Sequence, residues 1–196
     1  MASTGDVQTD VKRELLDSVG IQRALRRIAH EIVERDRGER LVLVGIRSAG
    51  VPLAARLGRF LVETGDLPAH AEGAIDITLY RDDAATALPK PEVGHTEIPG
   101  HSLEGRRVIL VDDVLYTGRT IRAALDALMD YGRPRAVELA VLIDRGHREL
   151  PIQPDYVGLR VETAPDEEIR VHLTELAGEH GGGDRVVLLA PRGAAR

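Results

Sequence analysis

Two adjacent aspartates, Asp112 and Asp113, stand at the end of an apolar run that covers residues 108–111. Carboxylates in such a pair can accept hydrogen bonds from the vicinal hydroxyls of a sugar. A turn follows in which hydroxyls, a glycine and the free N–H groups at a helix start suit the binding of phosphate. The residues of this turn are Thr117, Gly118, Arg119 and Thr120. The pair and the turn predict a site for a ligand that carries both a phosphate and a free diol, such as a ribose 5-phosphate.

Ligands of open α/β sheets bind at the carboxyl ends of the strands, so this site requires a strand before it and a helix after it. The segments whose apolar runs are typical of buried parallel strands are 41–46, 106–111 and 136–143. Helical spacing of apolar residues predicts helices over 21–37, 51–64 and 119–131. Further strands are predicted over 74–80, 155–162, 168–176 and 185–190. This order predicts an α/β fold with a mostly parallel central sheet flanked by helices.

The chain has 196 residues, which suits one domain with its own core. Residues 1–19 are polar and are interpreted as a flexible N-terminal segment, and residues 20–196 as a single domain. The stretch 81–105 holds three prolines and three glycines but little periodicity. A loop of this length in a compact domain is typical of a functional lid, so a long flexible lid loop is predicted there.

The composition excludes several classes of function. No cysteine occurs in the chain, which rules out disulfides, thiolate metal sites and cysteine nucleophiles. Aromatic residues make up 3% and the formal net charge is −6, so any contact with nucleic acid must use a local patch of arginines. The N-terminal residues hold no apolar signal region, and no apolar run approaches the roughly 20 residues of a membrane span. We therefore expect a cytoplasmic protein without membrane contact.

Residues 108–120, VILVDDVLYTGRT, resemble the 5-phosphoribosyl 1-pyrophosphate (PRPP) signature of type I phosphoribosyltransferases. Four more segments narrow the resemblance to the family of pyr operon attenuation proteins: 22–35, 76–83 (DITLYRDD), 132–134 (GRP) and 139–152 (LAVLIDRGHRELPI). The resemblance spans about residues 20–160. It implies a type I phosphoribosyltransferase-like fold with a small hood formed by the C-terminal part. It also implies a bifunctional protein that forms UMP and pyrophosphate from uracil and PRPP, and that binds the pyrimidine-operon mRNA leader in response to uridine nucleotides (UMP or UTP), regulating transcription by attenuation.

The resemblance also implies roles for the candidate site residues. Asp112 and Asp113 hold the ribose hydroxyls and act in catalysis, and the turn at 117–120 holds the 5-phosphate. Arg81, at the base of the lid, meets pyrophosphate when the lid closes. The loop that contacts pyrophosphate is Ser48, Ala49 and Gly50, with alanine where family members commonly have arginine. The segment that reads the base, partly through its backbone, is Ile143, Asp144 and Arg145. Mg²⁺ is expected to bind mainly through PRPP, and no protein ligand is assigned to it.

Contact with RNA is implied for a set of basic residues outside this site: Arg26, Arg27, His30, Arg35, His147 and Arg148. The chain departs from the family at Gln153 and Leu159, where relatives often carry basic residues. Two alternatives therefore stay open: a nucleotide-sensing regulator with weak or no catalysis, and a phosphoribosyltransferase that has lost RNA binding. A purine salvage enzyme is disfavoured by the match over 139–152. The family implies a homo-oligomer, a dimer or higher.

Overall fold

The computed structural model describes residues 11–35, 40–64, 70–81, 94–177 and 183–190. Its strands are β1 (Val11–Asp17), β2 (Leu41–Ile46), β3 (Ala71–Ile75), β4 (Arg107–Leu115), β5 (Ala136–Asp144), β6 (Tyr156–Arg160), β7 (Glu168–His172) and β8 (Arg185–Leu189). Its helices are α1 (Ser18–Glu34), α2 (Gly50–Thr64) and α3 (Arg119–Met129). Short 3₁₀ turns lie at Thr78–Tyr80 and Pro99–His101.

Five strands form a parallel central sheet in the order β3-β2-β4-β5-β6. Successive side chains of a strand point to opposite faces of the sheet. Leu41 and Leu43 of β2 accordingly pack in the layer that holds α1 and α2, whereas Val42 and Val44 pack in the layer that holds α3. Burial on both faces explains why the strands at the centre of this sheet have almost uninterrupted apolar sequences. The predicted α/β fold with a parallel sheet flanked by helices is confirmed.

Helix α1 begins earlier than its apolar periodicity predicts. The carboxylate of Asp17 accepts a hydrogen bond from the Gly20 N–H at 2.7 Å, which satisfies one of the free donors at the helix start. The apolar stripe of the helix is fully buried: Ile21, Leu25, Ile28 and Ile32 are at most 2% exposed. The helix ends at Glu34, and the last two residues of the predicted range, 36 and 37, lie outside the described residues.

The predicted flexible N-terminal segment is wrong for residues 11–19. Residues 11–17 form β1, which pairs antiparallel with β8 in a three-stranded sheet of order β1-β8-β7. The strand is hard to find in the sequence because an edge strand buries little: in β1 only Leu15 and Leu16 pack partly against the core. The three-stranded sheet is the hood, and it is built from both ends of the chain rather than from the C-terminal part alone.

Two predictions between residues 74 and 105 need correction. The strand predicted over 74–80 spans Ala71–Ile75, and the chain then turns through Thr78–Tyr80. The second part of the predicted lid is not a free loop, because Glu97 exchanges two backbone hydrogen bonds with Ala74, at 2.8 and 2.7 Å, and Ile98 and Leu103 are buried beside α3. For residues 82–93, which lie outside the described residues, the lid stays a prediction.

An ion-pair cluster joins α2 to the hood. Arg56 donates from Nε to Glu175 at 2.8 Å and from a terminal nitrogen to Asp184 at 2.6 Å. The side chains of Arg56 and Asp184 are 8% and 9% exposed, so these charges are held almost out of water. The hood is therefore fixed to the central domain by charge as well as by the packing of its apolar face.

No helix in the described ranges is both long and apolar enough to cross a membrane.

Candidate active site

The acid pair lies within the last half of β4, at the carboxyl edge of the parallel sheet. Asp112 is 6% exposed, and Asp113 is half-buried. Burial raises the pKa of Asp112 well above its usual value, and the neighbouring charge of Asp113 raises it further. Burial also raises the pKa of Asp113, although a hydrogen bond from the Val114 N–H at 2.8 Å opposes this. Ionising these two carboxyl groups costs free energy, so hydroxyl donors or a positive charge nearby would stabilise their ionised form.

The turn after β4 has the geometry that its residue types predict. Gly118 has a φ of +94°, a left-handed conformation that favours glycine, and α3 begins at Arg119. The carbonyl of Thr117 accepts backbone hydrogen bonds from Glu149 and Leu150, at 3.0 and 3.2 Å. Arg119 donates from Nε to Glu149 at 2.8 Å. The loop after β5 therefore braces the turn, and the N–H groups at the start of α3 remain the predicted position for a phosphate.

A cavity of about 290 Å³ brings the acid pair together with other predicted residues. Its walls include Ser48, Ala49, Arg81 and Thr120 as well as both aspartates. Gly50 lies so close to β4 that a Cβ at that position would stand 2.2 Å from the carbonyl oxygen of Val111. Only glycine permits this approach, so the loop after β2 can lie directly beside Asp112.

Three further polar residues that are not among the predicted site residues line this cavity: Arg47, Asp76 and Thr78. Asp76 comes directly after β3, so it stands at the same carboxyl edge of the sheet as the acid pair. That position was the signal that could have identified it, since an acid that follows a parallel strand is a candidate for the ligand site. It was overlooked because the strand was predicted to continue to residue 80.

The predicted base-reading residues do not line the cavity of the acid pair. The side chain of Ile143 is fully buried in the core. Asp144 accepts hydrogen bonds from Arg148 at 2.5 Å and from the Gly146 N–H at 3.1 Å. Asp144 and Arg145 instead line a separate open groove of about 1190 Å³ between β1 and residues 159–163.

Arg145 is 6% exposed and holds the chain after β6 in place. It donates to the hydroxyl of Thr163 at 3.1 Å and to the carbonyl of Ala164 at 3.0 Å, and its guanidinium lies 4.1 Å from the ring centre of Tyr116. His147 binds the neighbouring backbone carbonyl, because its Nε2 lies 2.7 Å from the backbone oxygen of Thr163. Because a carbonyl only accepts, Nε2 of His147 carries the proton.

The predicted RNA-contacting residues fall into two groups. Four are exposed residues of α1 or of its C-terminal cap, Arg35, and we call them the α1 basic face: Arg26, Arg27, His30 and Arg35. Arg26 stacks on Phe60 at 4.4 Å and pairs with Glu63, and Arg27 donates to the carbonyls of Val157 and Gly158.

The second group, His147 and Arg148, lies in the loop after β5. Arg148 is only 13% exposed, and it donates to the carbonyls of Tyr116, Gly146 and Ile152 as well as to Asp144. These bonds occupy its guanidinium inside the loop, so the structure gives Arg148 a framework role. His147 reaches the exposed edge of the same loop.

Residues 12–175 match the phosphoribosyl transferase domain family. The chain is 58% identical over 181 residues to the bifunctional protein PyrR of Pelotomaculum thermopropionicum, covering 91% of this chain and 96% of that protein. It is 53% identical over 184 residues to the bifunctional protein PyrR of Thermus aquaticus, covering 93% and 98%. It is 51% identical over 178 residues to the corresponding protein of Enterococcus faecalis, covering 90% and 96%.

Among solved structures, the chain resembles a hypoxanthine-guanine phosphoribosyltransferase of Bacillus anthracis with a TM-score of 0.66 and 20% identity, covering 92% of this chain and 99% of that one. It also resembles a hypoxanthine phosphoribosyltransferase of Staphylococcus aureus with a TM-score of 0.60 and 22% identity, covering 82% of each chain. At these identities the structural likeness establishes the fold and not the base that is transferred.

Proposed function

This chain belongs to the phosphoribosyl transferase domain family and, within it, to the bifunctional PyrR proteins, and on that premise we propose that it joins uracil to PRPP and also regulates pyrimidine genes through their mRNA leader. The observation that carries the enzymatic proposal is the cavity at the carboxyl edge of the sheet. It places the acid pair, Thr120 of the phosphate turn, the loop after β2 and Arg81 around one space. A purine enzyme is not favoured, because the relatives at 51–58% identity over most of the chain are PyrR proteins, whereas the purine enzymes with a similar fold are 20–22% identical.

The chemistry we propose is displacement at the anomeric carbon of the ribose, with pyrophosphate leaving and a uracil nitrogen attacking. The N–H groups at the start of α3 hold the 5-phosphate, and Asp112 and Asp113 accept hydrogen bonds from the ribose hydroxyls. Positive charge develops on the sugar in the transition state, and the nearby carboxylate of Asp113 stabilises it. Arg81 and the loop after β2 receive the leaving pyrophosphate. No protein nucleophile is required.

Mg²⁺ is proposed to bind mainly through PRPP, where it neutralises charge on the pyrophosphate leaving group. The donor set of the cavity fits a largely hydrated cation, because two carboxylates with raised pKa values gain from any nearby positive charge. No group of three or more histidine or acidic side chains placed to hold a metal is present among the described residues.

At the base end, we propose that residues 143–145 read uracil through backbone groups. Ile143 is buried and Arg145 is engaged with Thr163 and Ala164, so neither side chain is offered to a ligand in this structure. The side chain of Arg145 then serves to hold the chain after β6 close to the base position.

The enzymatic proposal predicts formation of UMP when purified protein is mixed with uracil, PRPP and Mg²⁺. Hypoxanthine, guanine and orotate serve as control bases and are expected to give no product.

Removal of the proposed pyrophosphate contact, Arg81→Ala, should lower kcat/KM by about 100-fold, the usual effect of losing one charge-stabilising contact. Turnover with a purine would contradict the base assignment. No turnover in a folded protein that binds UMP would favour the regulator without catalysis.

The regulatory proposal rests on the α1 basic face, which lies outside the catalytic cavity. With few aromatic residues and net negative charge, the chain would bind RNA mainly through phosphate contacts of arginine, and such binding weakens with salt. We further propose that uridine nucleotides bound in the cavity modulate this affinity. A homo-oligomer, a dimer or higher, stays a prediction.

The paired variant Arg26→Gln with His30→Gln should weaken binding of the pyrimidine-operon leader RNA about tenfold. It should also reduce the slope of log affinity against log salt by roughly one unit, since one phosphate contact is lost. Fluorescence anisotropy between 50 and 200 mM salt, about the range over which such contacts are lost, measures both quantities. Arg59→Gln is a matched control, because Arg59 is an exposed arginine of α2. If Arg59→Gln lost as much RNA affinity as the paired variant, the assignment of this surface would be overturned. The rate of UMP formation should be unchanged in both variants.

A further inference from the structure

Asp76 joins two stretches of chain that are distant in sequence. One carboxylate oxygen accepts the Thr78 N–H at 2.8 Å, and the other accepts the Gly94 N–H at 2.8 Å. The N–H of Asp76 itself donates to the hydroxyl of Thr96 at 3.0 Å. The point where the chain departs after β3 and the point where it returns at residue 94 are therefore held by a single side chain.

Arg47, which follows β2, is bound to the same two stretches. Its backbone N–H donates to the carbonyl of Ile75 at 3.0 Å, and its Nε donates to the carbonyl of His95 at 2.6 Å. The fit around Gly94 is tight: a Cβ there would stand 2.3 Å from Oδ2 of Asp76 and 3.2 Å from Cδ of Arg47. Arg47, Asp76 and Gly94 form a compact unit, which we call the stem clamp.

The surroundings of Asp76 in the stem clamp stabilise its ionised carboxylate. Burial alone would raise the pKa of Asp76, but the hydrogen bonds from Thr78 and Gly94 and the charge of Arg47 outweigh it and lower the pKa. The ionised form of Asp76 is therefore favoured, whereas burial raises the pKa values of the acid pair that lines the same cavity.

The stem clamp borders the catalytic cavity, since two of its members, Arg47 and Asp76, contribute to the cavity wall beside Thr78. Thr78 begins the 3₁₀ turn that leads directly to Arg81, and a carboxylate that accepts the Thr78 N–H fixes where this turn starts. Asp76 thus holds the start of the turn that leads to Arg81, and it binds the same two stretches of chain as Arg47.

Building on the proposed function, we propose that Asp76 is a positioning residue for PRPP, which acts by holding Arg47 and Arg81 at the pyrophosphate end of the cavity. Asp76 is not assigned a contact with the reacting atoms. Its effect is confined to the substrate that carries pyrophosphate, and uracil binding does not depend on it.

The test compares steady-state kinetics of the wild type with Asp76→Asn and with Gly94→Ala, whose Cβ would displace the carboxylate. Both variants should raise the KM for PRPP about tenfold, the usual effect of losing one hydrogen bond to a charged group, and leave the KM for uracil within about twofold. Asp126→Asn is the control, because Asp126 is an exposed carboxylate that pairs with Arg122 on α3, and it should change neither value. Equal changes in both KM values, or a change in kcat alone, would overturn the positioning role.

Binding and exchange measurements separate this inference from the proposed function. Absence of UMP formation in the wild type is a failure of the proposed function. The inference is then judged by calorimetric affinity for PRPP, which Asp76→Asn should weaken about tenfold relative to the wild type. Amide hydrogen exchange gives a second readout, in which the N–H groups of Thr78 and Gly94 should exchange at least about tenfold faster in Asp76→Ala. Unchanged affinity or unchanged exchange overturns the inference.

Discussion

Replacing both members of the acid pair, Asp112→Asn with Asp113→Asn, is expected to abolish UMP binding and at the same time to raise the thermal stability of the protein at neutral pH. Each asparagine keeps only one neutral acceptor oxygen for the ribose hydroxyls and places an NH2 donor where the second oxygen stood. The charge that stabilises the sugar cation is also lost, so kcat/KM should fall by about 1000-fold or more. Isothermal calorimetry with UMP and the UMP formation assay measure the two losses. Retained UMP binding would contradict the site assignment.

The gain in stability follows from the direction of the pKa shifts. Burial raises the pKa of both carboxyls in the folded state, so the folded protein holds these protons more tightly than the unfolded chain does. Above the folded pKa values the pair is ionised in both the folded and the unfolded protein, and its ionisation destabilises the folded state. As the pH falls through those values toward the ordinary pKa of an aspartate, about 4, this destabilisation disappears.

The asparagine variant should therefore be more stable than the wild type at pH 7, which would appear as a higher Tm. The difference should vanish near pH 4. Thermal unfolding followed by circular dichroism at several pH values measures it. Asp126→Asn, an exposed carboxylate of α3, should leave Tm unchanged. A difference that does not depend on pH would show that packing rather than charge is responsible.

The largest loss of stability is expected from Arg56→Ala. This change leaves Asp184 and Glu175 without the cation that offsets their charge, and Asp184 is almost fully buried. Removal of one partner of a buried ion pair costs about 3–5 kcal/mol. Urea unfolding should show this loss, whereas Arg59→Ala, at an exposed position of the same helix, should change stability by less than about 0.5 kcal/mol.

The pH dependence of this cluster has the opposite sign to that of the acid pair. Hydrogen bonds from Arg56 lower the pKa of Glu175 and of Asp184 in the folded state. Their contribution to stability is present above the unfolded pKa values and is lost as the pH falls through the lowered folded values. The destabilisation by Arg56→Ala should therefore shrink on acidification below about pH 4. A loss that is constant from pH 7 to pH 3 would assign it to packing of the arginine stem.

How far the fold could be predicted depends on how much each element buries. Strand β2 has the predicted bounds, because a continuous apolar run at 41–46 can only be a segment covered on both faces. The start of α3 is equally clear, since Gly118 marks the left-handed residue before it. Strand β1 was missed because its side chains are mostly exposed, and its stability comes from pairing with β8.

Some features of the candidate site could likewise be predicted from the sequence, and others could be found only in the structure. The acid pair and the phosphate turn are contiguous in the chain, so one short segment predicts both. The role of Asp76 depends on a hydrogen bond from Gly94, which the periodicity of neither segment indicates. The sequence likewise cannot show that the side chain of Ile143 points into the core, because a strand covered on both faces has no polar face to set its register.

The pairing of β1 with β8 joins positions near opposite ends of the chain, with Val11 opposite Leu189. During synthesis on the ribosome, β1 emerges first but has no partner until residues 185–189 have been added. At about 5–20 residues per second, the parallel sheet and its helices have several seconds to form before the hood can close. A chain interrupted before residue 185 would therefore contain the acid pair and the phosphate turn but could not complete the three-stranded sheet.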